Sequence, residues 1–251
     1  MIADFSCTGN SRQVARLLSR QLGDTAVDLR PLFRASSPSI DVDGRLILVF
    51  PIHSWGLPKG FADFLTRLRI DGRVDYCCMV ATCGDDCGLA YRQWRKTMVG
   101  KRLPADAAYS VQMPNTYVIF PGFDVDKPAV ERRKTDAAPT AVAAIARSIE
   151  ARAAGDFTHH GALPWLKTRL IYPSFMRHVG DRQFAASDAC VGCSRCAAVC
   201  PTANITISGG RPQWHGDCLN CLACYHTCPR HAISFGSRTR GKGQYFNKSN
   251  D

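Results

Sequence analysis

Two rhythms of apolar residues alternate along the first 155 positions of the chain. Short, largely apolar runs at 2–5, 26–29, 46–50, 76–82 and 109–113 have the length of strands, and those at 46–50 and 76–82 have the continuity of strands buried on both faces. Between them apolar residues recur at helical spacing, as Val14, Leu17, Leu18 and Leu22 do within 11–22. Helices are also predicted at 58–68, which opens on a proline, at 89–98, and at 129–153, which is rich in alanine. A chain that alternates strand and helix in this way is expected to fold as an α/β doubly wound parallel sheet, with ligands at the carboxyl ends of its strands.

Past this first domain, 1–155, the rhythm changes. Positions 156–186 are expected to be a connecting helical segment, in which Trp165, Leu166, Leu170, Ile171, Phe175, Met176 and Val179 recur at roughly helical spacing. Lys167, Arg169, Arg177 and Arg182 lie between them. A basic amphipathic stretch can lie on a membrane, but here the apolar face is expected to pack against the protein's own domains. A second, smaller α+β domain follows at 187–251, with short apolar strands at 204–207 and 232–235. In its polar tail, 238–251, Tyr245 and Phe246 are candidate anchors on the first domain.

Composition narrows the possibilities. A chain of 251 residues has room for one large domain or two modest ones. No apolar run approaches the roughly 20 residues of a membrane-spanning helix. The opening Met-Ile-Ala-Asp-Phe-Ser has neither the basic nor the apolar stretch of a secretory signal, so a cytoplasmic location is expected. The net charge of +11 is shared between the two halves, +5 over 1–155 and +6 over 156–251, with no long Lys/Arg run. That gives little reason to expect nucleic acid as a partner. Of the thirteen cysteines, Cys7, Cys77, Cys78, Cys83 and Cys87 are scattered and eight fall between Cys190 and Cys228. In a reducing compartment such a dense group points to metal ligation. Cys77 and Cys78 lie in an apolar run and are expected to act as small hydrophobes, whereas Cys83 and Cys87 are expected to be more open.

The eight cysteines form a repeat with an interval of 28 residues, Cys190-Val-Gly-Cys193-Ser-Arg-Cys196-Ala-Ala-Val-Cys200-Pro201 and Cys218-Leu-Asn-Cys221-Leu-Ala-Cys224-Tyr-His-Thr-Cys228-Pro229. The short spacings let three thiolates wrap one corner of a metal cluster from a single loop, while the fourth is carried away on a short helix. Two zinc ions would use eight thiolates as well, but zinc sites usually come as two Cys-x-x-Cys knuckles separated by a longer loop. The repeat resembles the motif of bacterial dicluster ferredoxins. That resemblance implies two [4Fe-4S] clusters with crossed ligands, one on Cys190, Cys193, Cys196 and Cys228, the other on Cys218, Cys221, Cys224 and Cys200. A domain this small has little core, so the clusters are expected to supply much of its stability.

Three strand ends in the first domain carry further chemistry. After the first strand, Ser6-Cys7-Thr8-Gly9-Asn10-Ser11 runs straight into a helix, so hydroxyls, backbone N–H groups and the helix dipole face one point, as a phosphate needs. Without G-x4-G-K-[ST], a nucleoside triphosphate with magnesium is not expected, and a monoester phosphate fits better. The third strand is followed by Pro51, Ile52, His53, Ser54, Trp55 and Gly56, the fourth by Thr82, Cys83, Gly84, Asp85, Asp86, Cys87 and Gly88. The first loop resembles the flavodoxin phosphate loop [ST]-x-T-G-x-[ST], and the other two stand where flavodoxins hold the flavin ring. The flavodoxin resemblance covers roughly 1–150 and the dicluster motif roughly 185–240, and together the chain resembles the flavodoxin–ferredoxin fusion proteins of anaerobes. The resemblance implies FMN, its phosphate on Ser6, Thr8, Gly9, Asn10 and Ser11. Its ring would lie among Pro51, His53, Ser54, Trp55, Gly56, Thr82, Cys83, Gly84, Asp85 and Gly88. Trp55 would stack on or flank the ring, and Gly56 would allow a peptide flip. The chain departs from many flavodoxins in having Asp85 and Asp86 where a stacking tyrosine is common, and in being basic.

A cluster passes single electrons, whereas a flavin passes them singly or in pairs. The expected function is therefore intramolecular electron transfer between two [4Fe-4S] clusters and FMN on behalf of a redox partner protein. The alternative is an FMN-dependent reductase acting on a small electron acceptor such as a quinone or a corrinoid. Such an enzyme would have an open pocket over the flavin, with a donor such as His53 or Tyr117 facing it and residues 113–117 lining it.

Overall fold

The computed structural model describes residues 1–120 and 122–247 of the chain. Strands β1 (Ile2–Asp4), β2 (Ala26–Asp28), β3 (Ser39–Pro51), β4 (Arg69–Cys83), β5 (Ala107–Gln112) and β6 (Gly155–Phe157) form one parallel sheet in the order β2-β1-β3-β4-β5-β6. The order of its first five strands is that of flavodoxin-like sheets, with the switch point between β1 and β3. The connecting helices are α1 (Asn10–Leu22), α2 (Arg30–Phe33), α3 (Phe61–Arg67), α4 (Ala90–Gly100) and α5 (Pro128–Glu150).

Successive strand residues point to opposite faces, which is why continuous apolar runs build two cores. Ile47 and Val49 pack with Val14 and Leu18 of α1 and with Val142 and Ile145 of α5. Leu46, Leu48 and Phe50 pack on the other face with Phe61 and Phe64 of α3 and with Trp94 and Met98 of α4. Helix α1 ends where Gly23 turns left-handed, φ 71°, and its N–H caps the Ser19 carbonyl.

Strands β3 and β4 begin well before their apolar runs, at Ser39 and Arg69. In their first halves Ile40 and Val42 of β3 are buried in the core, with Ile70 and Val74 of β4 packed against it, but they alternate with aspartates, glycine and arginines, so no unbroken apolar run marks them. The helix expected at 58–68 is confined to 61–67, because Gly60 at φ 69° starts it. The short α2 and β6 carry no periodic signal.

The connector holds α6 (Pro164–Leu166), a π turn (Lys167–Ile171) and α7 (Tyr172–Arg177). Its apolar face does not pack inward as expected. Phe175 is buried, but Trp165 and Leu170 are 58% and 55% exposed. The interior side is fixed instead by polar bonds, from Thr168 to Trp55 and Leu89 and from Tyr172 to Leu57.

In the second domain β7 (Phe184–Ala186), at the end of the expected connector, pairs antiparallel with β10 (Ile233–Phe235), while β8 (Ile205–Ser208) pairs with β9 (Arg211–Trp214). Two single-turn helices, α8 (Arg195–Ala198) and α9 (Ala223–Thr227), each hold the third cysteine of a motif, Cys196 and Cys224. The domains interlock through apolar contacts on two sides. Leu219 and Ala223 join the core around Phe5 and Phe50, and Val118 and Ile119 from the loop after β5 join Phe184, Leu222, Tyr225 and Ile233.

Candidate cofactor sites

A cavity of about 600 Å³ opens at the carboxyl ends of β1, β3, β4 and β5. Of the residues singled out in the sequence, Ser6, Thr8, Asn10, Ser11, Pro51, His53, Ser54, Thr82, Cys83 and Gly84 line it. Residues 113–117 line it as well, together with Asn220 and Cys221 from the second domain. Nothing in the local sequence marked Asn220, since only the packing of the two domains brings it there. A second cavity of about 530 Å³ adjoins the first and shares Ile52, Ser54, Cys83, Gly84, Asn115 and Tyr117 with it. Trp55, Asp85, Asp86, Phe120 and Phe123 complete its wall.

The loop before α1 is built as an anion cradle. Gly9 at φ 98° caps the helix, whose first turn holds no acidic residue, so its free N–H groups meet no internal counter-charge. Ser11 Oγ lies 2.7 Å from Thr82 Oγ1, and Asn10 Nδ2 donates to the Pro114 carbonyl at 2.9 Å, which pins the loop to two strand ends. Arg12 points the other way and is spent on Asp4 at 2.9 Å and Asp28 at 2.6 Å. The cradle therefore offers dipoles and hydroxyls, fitting a monoester phosphate.

Three glycines expected at the flavin, Gly9, Gly56 and Gly88, line neither cavity. Gly56 does not show the expected freedom. Its N–H and carbonyl are both bonded to His53, at 3.1 and 3.0 Å, and the Tyr172 ring occupies the place a side chain would take. The left-handed residues of this loop are Ser54 and Trp55, at φ 47° and 65°. Gly88 lets its loop close behind Trp55, where a Cβ would stand 2.9 Å from the tryptophan Cβ. Lys167 Nζ sits 5.3 Å from the centre of the Trp55 ring and pairs with Asp86, neutralising that carboxylate. Cys83 and Cys87 are buried, not open. They share a side-chain hydrogen bond, which together with burial pushes the Cys87 thiol well up. His53 is pushed down to about 4 by burial, so it faces the cavity as a neutral hydrogen-bonding group. Burial raises the Tyr117 hydroxyl above its ordinary value, leaving it a neutral donor.

The eight clustered cysteines divide between two further cavities of similar size. Cys190, Cys193, Cys196 and Cys228 line one of about 350 Å³, and Cys200, Cys218, Cys221 and Cys224 line another of about 320 Å³. Each therefore takes its fourth cysteine from the other motif. Ile207 and Ile233 wall the first cavity, and Ile205, Phe184 and Trp214 the second. Burial pushes the Cys218 thiol up to about 12 and raises Cys224 well above its ordinary value; Cys221 is raised first by a side-chain hydrogen bond with Cys7 and then by burial. Thiols so buried become thiolates only when bound cations supply the compensating charge, which suits a polynuclear iron centre.

The cavity at the strand ends and the cavity of the second cysteine set meet at one residue. Cys221 lines both, and its sulfur is hydrogen-bonded to Cys7 of the loop before α1. His226 Nε2 donates to the Thr116 carbonyl at 2.7 Å and Nδ1 accepts from the Tyr245 N–H at 3.2 Å, so its partners fix the tautomer. The tail then crosses to the cradle. Asn247 N–H donates to the Thr8 carbonyl at 2.9 Å, and its side chain donates to Asn10 and Gln13. Anchoring on the first domain is thus carried by Asn247, with Lys242 and Gly243 bonded to Phe123 and Asp124, while the bonds of Tyr245 go to His226 and Asn247; residues 248–251 of the tail lie outside the described residues.

Residues 189–233 match the 4Fe-4S dicluster domain. The chain joins a ferredoxin-type dicluster segment to a sheet of flavodoxin-like strand order. Among solved structures it is similar to a flavodoxin of Streptococcus pneumonia TIGR4, at 16% identity and TM-score 0.31, covering 57% of this chain and 97% of that one. It is also similar to the Trp repressor binding protein of Bacillus subtilis, at 12% identity and TM-score 0.33, covering 57% of this chain and 96% of that one. No curated protein matches it. Among the described residues no helix is long and apolar enough to cross a membrane.

Proposed function

We propose that residues 1–155 bind FMN, that 187–251 bind two [4Fe-4S] clusters, that 156–186 connect them, and that the protein transfers electrons between these centres for a redox partner. The clusters supply single-electron steps, and the flavin links these to paired ones. Within this reading Ser6, Thr8, Asn10 and Ser11 hold the phosphate. Ser54, Trp55, Cys83, Gly84 and Asp85 flank the ring, and neutral His53 and Tyr117 offer hydrogen bonds. Leu219 and Ala223 exclude water where the domains meet. The observation that carries the reading is that Cys221 lines both the flavin cavity and the cavity of its own cluster.

Anaerobic purification and reductive titration followed by absorbance and spin resonance test this directly. Eight irons and one FMN per chain are expected, with flavin and clusters reduced in the same titration. A colourless zinc protein, or a flavin that stays oxidised beside reduced clusters, overturns the proposal. Thr8→Val is expected to weaken FMN binding by about tenfold or more, because a hydrogen bond to a charged group is lost, while leaving the iron content unchanged. A direct reductase reading is favoured by the aromatic mouth of the second cavity, where Phe120 is 40% exposed beside Phe123 and Trp55. Saturating oxidation of the reduced protein by a soluble quinone in rapid mixing would distinguish that activity from simple carriage.

A further inference from the structure

The continuous helix from Pro164 to Arg177 has two unlike faces. The inner face is bolted to the flavin-ring loops: Thr168 Oγ1 donates to the Trp55 carbonyl at 2.9 Å and accepts from the Leu89 N–H at 2.8 Å, and the Tyr172 hydroxyl donates to the Leu57 carbonyl at 2.8 Å. The outer face carries Trp165, Leu166 and Leu170, preceded by Leu163, which is 69% exposed. Leu163 holds a left-handed backbone at φ 50°, a conformation a leucine seldom adopts, and its side chain is left in solvent. None of these four lines a described cavity. They stand out as a ridge.

Charge decides what such a ridge fits. Positions 157–180 contain no Asp or Glu. Arg169 and Arg177 are exposed on the same helix and, among the described residues, have no ion-pair partner. Apolar side chains that project outward need a surface that yields around them, and unpaired cations beside them need fixed negative charge. A protein partner would have to supply a preformed groove, whereas a bilayer supplies a deformable apolar interior beneath anionic headgroups, and an indole is well suited to the boundary between them.

We propose that this face docks on an anionic membrane surface, with Leu163, Trp165, Leu166 and Leu170 in the headgroup–acyl boundary and Arg169 and Arg177 against lipid phosphates. The helix lies on the bilayer and does not cross it. The proposal is independent of the cofactor reading, since none of these residues touches a cofactor cavity.

Flotation of the cofactor-loaded full chain with phosphatidylcholine vesicles, with and without phosphatidylglycerol, tests it. The protein is expected to float with the phosphatidylglycerol vesicles only. Trp165→Ser combined with Leu170→Ser is expected to weaken binding at least about tenfold, with flavin and iron content unchanged. Val99→Ser, which removes an equally exposed apolar side chain elsewhere (55%), is expected to leave it intact. Quenching by bromine-labelled lipid is expected in the parent and diminished in Trp165→Phe. Failure to float with anionic vesicles overturns the proposal, as does binding that survives the double substitution. A dimer in the parent that the double substitution dissociates, without lipid binding, would assign the ridge to a second copy of the chain instead.

Discussion

Cys7 shows how one side chain can serve two sites. Its place in the loop before α1 is set by β1, and its thiol reaches Cys221. With Cys221 bound to iron as a thiolate, the Cys7 S–H becomes the donor, and hydrogen bonds to cluster sulfurs favour the reduced, more negative state. Cys7→Ala is therefore expected to lower the potential of that cluster only, measured by a redox titration followed by spin resonance with iron content unchanged. Asp4 illustrates a cost. It is fully buried, and although Arg12 stands 2.9 Å away, neither carboxyl oxygen has a hydrogen-bond partner among the described residues. Burial outweighs Arg12 and raises the carboxyl from 3.8 to about 7. The folded state thus holds the proton more tightly than the unfolded one. That stabilisation is complete below 3.8 and is lost as pH rises through about 7. Asp4→Asn is expected to flatten the decline in melting temperature between these pH values, so an unchanged profile would assign the pH dependence elsewhere.

Among the elements, the tail has the most distributed role. Lys242 Nζ donates to the Phe123 carbonyl at 2.8 Å, Gly243 N–H to Asp124 at 2.9 Å, and Asn247 N–H to the Thr8 carbonyl at 2.9 Å. One segment therefore ties the loop after β5, the second cysteine motif and the phosphate cradle together. The close seat of Asn247 explains Gly9, where an added Cβ would meet the Asn247 Cβ at 2.7 Å and would also strain the left-handed backbone. Removing residues 242–251 is expected to weaken FMN binding several-fold while both clusters remain, because the cradle loses its outer support but every cysteine is kept. Flavin fluorescence and iron analysis on the same sample check both halves of that statement. The polar sequence of the tail gave only its two aromatics as anchors, since an asparagine that bonds backbone has no periodicity to betray it.

At the scale of the whole molecule the crossed cysteine sets bind the two motifs into one unit. Cys228→Ser is expected to alter the spectrum of the cluster on Cys190, Cys193 and Cys196 and to spare the other. Cys200→Ser should do the reverse, and the opposite assignment would mean each motif closes on itself. The arrangement of domains was the least legible level. Leu219 and Ala223 lie within the second cysteine motif, where nothing in the spacing shows that they complete the core of the neighbouring domain. The connector misled in the other direction. Its helical spacing was real, but polar bonds from Thr168 and Tyr172 hold it, leaving its bulky apolar residues outside.

The sequence by itself determined what depends on short separations: the alternation that makes a doubly wound sheet, the Ser6–Ser11 cradle and the cysteine spacing of a dicluster segment. These are set by local backbone geometry and ligand reach, which a few consecutive residues fix. Tertiary structure alone decided which surfaces meet. It brought Cys221 to the cavity at the strand ends, put the Tyr172 ring against Gly56, laid Asn247 over Gly9 and turned Trp165 outward. Each of these follows from how residues far apart in the chain pack, chosen by the packing of whole faces, and no local pattern encodes it.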